Sequence, residues 1–209
     1  MIFEWDDFGA SHTISDMCQS HDCRDVLLML RDINPDFKCT LFAIPAEMTF
    51  ELATWCLENA SWVELAWHGF THQSNYECEK MSYDTFDMMM NAYQQNSMTS
   101  AFQKIFRAPG WQISDDILRW LADNGWVIAD QGYNDQRRPH YAKAFVNYGG
   151  NFVVRGRGPD RPVKAYHGHT WNVGEKGNEP NGIYEDFENV AGLVAACKEF
   201  KFISEVCHD

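Results

Sequence analysis

The feature that narrows the fold most is an alternation along the chain. Short apolar runs are followed, again and again, by stretches with helical spacing. "IFEW" at the start reads as a short buried strand, "KCTLFAI" (38–44, ended by Pro45), "WVELAW" (62–67) and "WVIAD" (126–130) read as strands, "FRAP" ends another, and "VKAYHGH" (163–169) reads as a strand running into a loop. Between them, 23–33 carries Val26, Leu27, Leu30 and Ile33 on one side, and 50–60 is amphipathic. Residues 82–105 read as a long helix broken near Asn96 and Ser97. Residues 114–125 read as a helix with Ser114 as N-cap and Gly125 at its end. "AFVNYGGNFVVRG" (144–156) resembles a hairpin with a Gly-Gly turn. A helix over 184–200 and a last strand over 201–206 complete the pattern. Repeated strand–helix units predict an α/β fold with a parallel sheet, open or closed into a barrel. With no internal repeat and no linker, residues 1–209 read as one domain.

Composition supports a globular chain with a substantial core: 209 residues, 45% hydrophobic and 14% aromatic. A net charge of -13 argues against general nucleic-acid binding, which needs clustered Lys and Arg. No apolar run reaches the ~18 to 20 residues that span a bilayer. Acidic residues arrive at Glu4, so no secretory leader is expected and the reading is cytoplasmic. Seven scattered cysteines without a CxxC pair read as reduced thiols, with Cys39 and Cys56 as small core residues.

In parallel α/β folds the working residues lie at the C-terminal ends of strands. Titratable residues sit at five such ends: Asp6 and Asp7, His68, Arg107, Asp130, and His167. The adjacent carboxylates of "FEWDDFG" are the sharpest anomaly, because Phe3, Trp5 and Phe8 want burial while Asp6 and Asp7 repel each other. Such a pair needs a positive partner or a shared proton. "WHGFTH" places His68 and His72 four apart, on one face if the segment turns helical, which is a metal-ligand spacing. The plain alternative is two capping or surface histidines. An Asp with two His leaves open positions on a divalent ion, as catalysis requires. One aspartate then meets the metal and the other stays free as a base. Arg107 in "FRAPGWQIS" reads otherwise as a surface Arg in a tight turn. His167 and His169 in "YHGHTW" read otherwise as satisfied histidines beside an aromatic.

The order of these motifs resembles the polysaccharide deacetylases, carbohydrate esterase family 4 with its NodB-homology domain. "EWDDFG" looks like the family's Thr-Phe-Asp-Asp-Gly, "HGFTH" like His-Ser/Thr-x-x-His, "RAPGW" like Arg-x-Pro and "KAYHGH" like Leu-x-His, while "ADQGYND" stands where the fourth motif belongs. The resemblance implies a distorted (β/α) barrel of about seven parallel strands and removal of acyl groups from sugars. It implies Asp6 as general base, Asp7, His68 and His72 as ligands of one divalent ion (Zn2+ first, Co2+ or Mn2+ as alternatives), and Arg107 orienting Asp6. The late acid is His167, with His169 the alternative, oriented by Asp130 or by Asp135. A backbone N–H after Pro109, at Gly110-Trp111, implies an oxyanion donor, and Trp111 a wall of the sugar pocket. Trp5, Tyr133 and Trp171 are further candidates for sugar stacking. Two departures stand out: Glu4 replaces the usual Thr, and Phe8 replaces a Gly, which reshapes the mouth of the site. The implied substrate is an acylated amino sugar, free, nucleotide-linked or lipid-linked. The alternatives are an inert carbohydrate-binding protein on the same fold, and a metal amidohydrolase or deformylase acting on a non-sugar amide.

Overall fold

Burial of both faces of the first strand organises the molecule. In a computed structural model that describes residues 1–10, 22–130, 147–149, 153–155, 162–170, 173–174 and 185–207, Ile2–Phe8 (β1) is buried along its whole length. Its neighbours are Cys39–Ala43 (β2) and Pro162–His169 (β8), both parallel to it. Val63–His68 (β3), Phe102–Arg107 (β4) and Val127–Ile128 (β5) continue the parallel sheet on the β2 side. Asn147–Gly149 (β6) and Val153–Arg155 (β7) extend it past β8 as an antiparallel pair, giving the order β5-β4-β3-β2-β1-β8-β7-β6. The parallel part therefore has six strands, against about seven expected, and the antiparallel remainder comes from β6 and β7 within the hairpin expected over 144–156, of which residues 150–152 lie outside the described residues. Val173–Gly174 (β9) and Glu185–Asp186 (β10) pair separately.

The sheet is strongly curled. β4 and β8 are four strands apart, roughly 19 Å in a flat sheet at about 4.8 Å per strand. Yet the Arg107 guanidinium on β4 lies 3.3 Å from His167 Nδ1 on β8. Curling brings one buried apolar cluster together from all six parallel strands or their ends: Ile2, Phe42, Ala66, Ile105, Val127 with Ala129, and Ala165. Ile203 and Val206 of Ile203–Cys207 (α6) close that cluster. The outer face carries the other helices. Cys23–Ile33 (α1), Phe50–Glu58 (α2) and Phe187–Ala196 (α5) pack over Phe3, Trp5, Leu41 and Leu65, and Tyr83–Gln94 (α3) and Asp115–Asp123 (α4) over Trp67, Phe106 and Ile128.

Capping fixes the helix starts. Thr49, Ser82 and Ser114 each accept an N–H from the residue three positions on, and Ser114 is the expected N-cap of α4. Two elements differ from expectation. The stretch 82–105 breaks where expected, near Asn96 and Ser97, with α3 ending at Gln94 and Asn96 capping a 3-10 turn at Ser97–Thr99, but beyond the break the chain enters β4 at Phe102 rather than resuming a helix. Residues 201–206 hold a helical turn rather than a strand. Ile203 and Val206, three apart, share the face that plugs the inner cluster, and Glu205 caps the turn through the Phe202 N–H at 2.8 Å. No helix of the described residues is long and apolar enough to cross a membrane.

Candidate active site

The adjacent aspartates share one face because β1 bulges between them. Trp5 pairs with Leu41 but Phe8 with Ala43, so β1 holds one residue more than β2 over that interval. Asp7 absorbs the surplus with φ 62°, in the left-handed region. Asp6 and Asp7 then both reach the inner face. Phe8 is turned outward, buried and stacked on Trp55 at 6.4 Å, so it does not reshape the mouth of the site. Trp5 is likewise on the outer face, edge-on to Tyr166 at 5.2 Å, and is no part of a sugar pocket.

His68 ends β3, and the chain turns at once through Gly69 with φ 59°. The expected helix does not form over His68 and His72. A turn brings them together instead, with ring centroids 5.1 Å apart and φ 49° at His72. Both Nε2 atoms lie 3.1 Å from Asp7 Oδ1. Burial raises the Asp7 carboxyl, but hydrogen bonds from His68 and His72 outweigh it and hold the group well below the usual carboxylate range. Burial lowers His72, and the bond to Asp7 more than reverses this, so its imidazole is raised. Two imidazole nitrogens and a carboxylate oxygen within 4.8 Å of one another form a donor set that suits a borderline divalent ion, so these residues fit the implied metal.

Arg107 is no surface residue: its side chain is fully buried. Its Nε donates to the Ala129 carbonyl at 2.8 Å, Nη1 to Asp6 Oδ1 at 2.6 Å, and Nη2 to Glu4 Oε2. The guanidinium lies 3.7 Å from the centroid of Phe42 and 4.4 Å from that of Trp111, so aromatic faces complete its desolvation. Burial raises Asp6, but the Arg107 charge, followed by His167 and His68, brings it down to about 2. A second cluster, Asp6, His167 and His169, also has metal-ligand proximity. There the Arg107 cation already occupies one Asp6 oxygen and opposes a metal cation beside it.

On β8, His167 stands level with Glu4 and His169 level with Asp6. His167 Nε2 is 3.8 Å from Asp6 Oδ2, and its ring meets the Trp111 edge at 5.2 Å. Burial pushes the His167 imidazole down; Asp6 raises it, Arg107 lowers it, and the result is about 4. His169 Nε2 is 3.7 Å from Asp7 Oδ2. Asp130 is buried and accepts the Ala108 N–H at 3.2 Å, bracing the turn that carries Gly110 and Trp111. A side chain at Gly110 would put its Cβ 2.5 Å from the Asn75 carbonyl oxygen, and the backbone there has φ 59°. Tyr133, Asp135 and Trp171 lie outside the described residues.

Two features escaped the sequence reading. Glu4 is a buried partner of Arg107, and its spacing two before Asp6 on a strand was the available signal. The other is strain: the non-glycine residues with positive φ among the described residues are Asp7, His72 and Trp111, all at this site.

No family model and no curated protein matches the sequence. Solved structures do match. A family 4 acetyl xylan esterase from Clostridium thermocellum, in complex with a cobalt ion, is 15% identical over 99% of this chain and 90% of that one, with a TM-score of 0.56. The chitin deacetylase of the fungal pathogen Colletotrichum lindemuthianum is 13% identical over 100% and 87%, TM-score 0.56. A family 4 pseudoenzyme from Bacillus anthracis is 13% identical over 99% and 64%, TM-score 0.58. At such identities the likeness is one of fold.

Proposed function

We propose that this chain, which has the fold of carbohydrate esterase family 4, is a metal-dependent hydrolase that removes an N-acyl group, acetyl first, from an amino sugar. The observation that carries the reading is the pairing of Asp7, His68 and His72 on one carboxylate oxygen beside a second carboxylate, Asp6, held by a buried Arg. Asp7, His68 and His72 are the residues that would hold the ion. A divalent ion bound there acidifies water and polarises an acyl oxygen.

The protein's own groups supply the rest. Asp6 Oδ1 is committed to Arg107, which leaves Oδ2, facing His68 Nε2 at 3.9 Å, to take the proton of the attacking water. Water adds to the acyl carbon, the C–N bond breaks, and the leaving nitrogen needs a proton. His167 suits that task poorly. Its Nδ1 lies 3.3 Å from Arg107 Nη1, a permanent donor, so Nδ1 serves as acceptor. A second proton there would set two donors face to face. His169, more exposed and level with Asp6, is the better acid, and His167 keeps its Nε2 side toward Asp6. Trp111 N–H is used by the Ala108 carbonyl at 3.0 Å, so Gly110 N–H is the oxyanion donor in this reading. Half-buried Trp111 walls the pocket. The substrate is an acylated amino sugar, free, nucleotide-linked or lipid-linked.

Acetate release from an N-acetylated amino-sugar panel, measured on cobalt-loaded protein, tests the proposal. Asp6→Asn should lose at least about a hundredfold in turnover while still binding cobalt. Normal turnover in that variant would remove Asp6 as base. Release from non-sugar amides alone would favour an amidohydrolase. Sugar binding with no release from the wild type would favour an inert binder, a condition for which the Bacillus anthracis pseudoenzyme is a structural neighbour.

A further inference from the structure

We infer that Glu77 is the positioning residue for His72, holding that ligand in place from the far side of its turn; the inference rests on the metal-centre reading above. Because no helix forms after β3, something other than a helical ladder must fix His72 at φ 49°. The Glu77 carboxylate does so by reaching across to the turn. Oε1 accepts the Phe70 N–H at 2.6 Å. Oε2 accepts the Thr71 hydroxyl at 2.7 Å and the Thr71 N–H at 3.3 Å. The same Thr71 oxygen accepts the Gln73 N–H at 3.3 Å. Hydrogen bonds traceable to one carboxylate therefore grip the residue before His72 and the residue after it.

The grip has a fixed root. Glu77 N–H bonds to the Ser74 carbonyl at 3.1 Å. The next residue, Cys78, is fully buried in the cluster under α3 and α4, and its carbonyl accepts the N–H of Ser114, the α4 cap, at 2.9 Å. The carboxylate also fills the niche beside Gly69, where an added Cβ would lie 2.0 Å from Oε1 and 2.7 Å from the Pro109 ring. Gly69 is thus the residue that lets strand end, carboxylate and the Pro109 turn meet. The chemistry favours a carboxylate: it is acceptor-only with two oxygens, and the turn presents three donors to it. An amide at this position would turn its NH2 toward one set of those donors.

The test is cobalt binding by the metal-free chain, read by competition with a chelator and by the visible cobalt spectrum. Glu77→Ala should weaken cobalt binding about 10- to 100-fold and alter the spectrum. Glu77→Gln should fall between it and wild type, and it carries the test if Glu77→Ala does not fold. Glu79→Ala, at an exposed neighbouring carboxylate, should bind as wild type does. Wild-type affinity, within twofold, and an unchanged spectrum in Glu77→Ala would overturn the inference. If the wild type itself binds no cobalt, the metal-centre reading fails separately. Amide exchange then decides: faster exchange at Phe70, Thr71 and Gln73 in the variant keeps Glu77 as the anchor of His72, and unchanged exchange removes it.

Discussion

The two ends of the curled sheet bury carboxylates on the same inner face and treat them in opposite ways. At the N-terminal end, Glu64 accepts the Thr40 hydroxyl at 2.8 Å and the Ser204 N–H at 3.3 Å, and α6 seals it from below. Both of these partners are neutral donors, and burial raises its carboxyl. At the C-terminal end, Glu4 and Asp6 share the Arg107 cation, Asp7 takes two imidazoles, and Asp6 and Asp7 are held low. Backbone strain lies at that end too, at Asp7, His72 and Trp111. A buried carboxyl can be made tolerable by favouring its neutral form or by answering its charge. The first solution is quiet. The second keeps an ionised, directed group at a half-open site, as a base or a ligand requires.

The difference between the two ends rests most heavily on Arg107. Arg107→Met removes the cation and leaves the Glu4 and Asp6 charges facing each other, a cost of about 3 to 5 kcal/mol that denaturant unfolding would record. A loss below about 1 kcal/mol would mean that the pair is not held by charge. Next come the two late histidines. His169→Ala should reduce turnover by about a hundredfold or more, whereas His167→Gln should cost clearly less. The reverse order, read from acetate release, would return the acid role to His167. The smallest effect belongs to the quiet end. Glu64→Gln keeps the accepting oxygen, so it should shift stability by no more than about 1 kcal/mol at neutral pH and leave turnover unchanged. The pH dependence sharpens this. A carboxyl raised in the folded state contributes stability below its ordinary value of 4.5, which is lost as pH rises through the raised one. Glu64→Gln should therefore flatten the stability–pH curve on the alkaline side of 4.5. An unchanged slope would mean that Glu64 is ionised as readily folded as unfolded.

Much of this was legible in the sequence, for physical reasons that vary by element. The strand–helix alternation announced the parallel sheet because burial on both faces imposes apolar runs. Ser114 announced α4 because a hydroxyl at that position answers an orphan N–H. Asp6, Asp7, His68, His72 and Arg107 were legible as a set because strand ends gather at one end of such a fold. Long-range geometry was less accessible. The bulge that sends Phe8 outward depends on pairing with β2, residues some thirty-five positions away. The turn that stands in for a helix at His72 depends on Glu77. Residues 201–206 looked like a strand because apolar residues two or three apart fit either period over so short a run. Only closure of the inner cluster selects the helical turn.

In the proposed function the C-terminal end of the sheet holds a divalent ion on Asp7, His68 and His72. Elemental analysis of metal after reconstitution with zinc or cobalt, on wild type beside His68→Ala/His72→Ala, tests it most directly. About one ion per chain is expected in the wild type and none in the double variant. No ion in the wild type, or equal loading of both proteins, would contradict it.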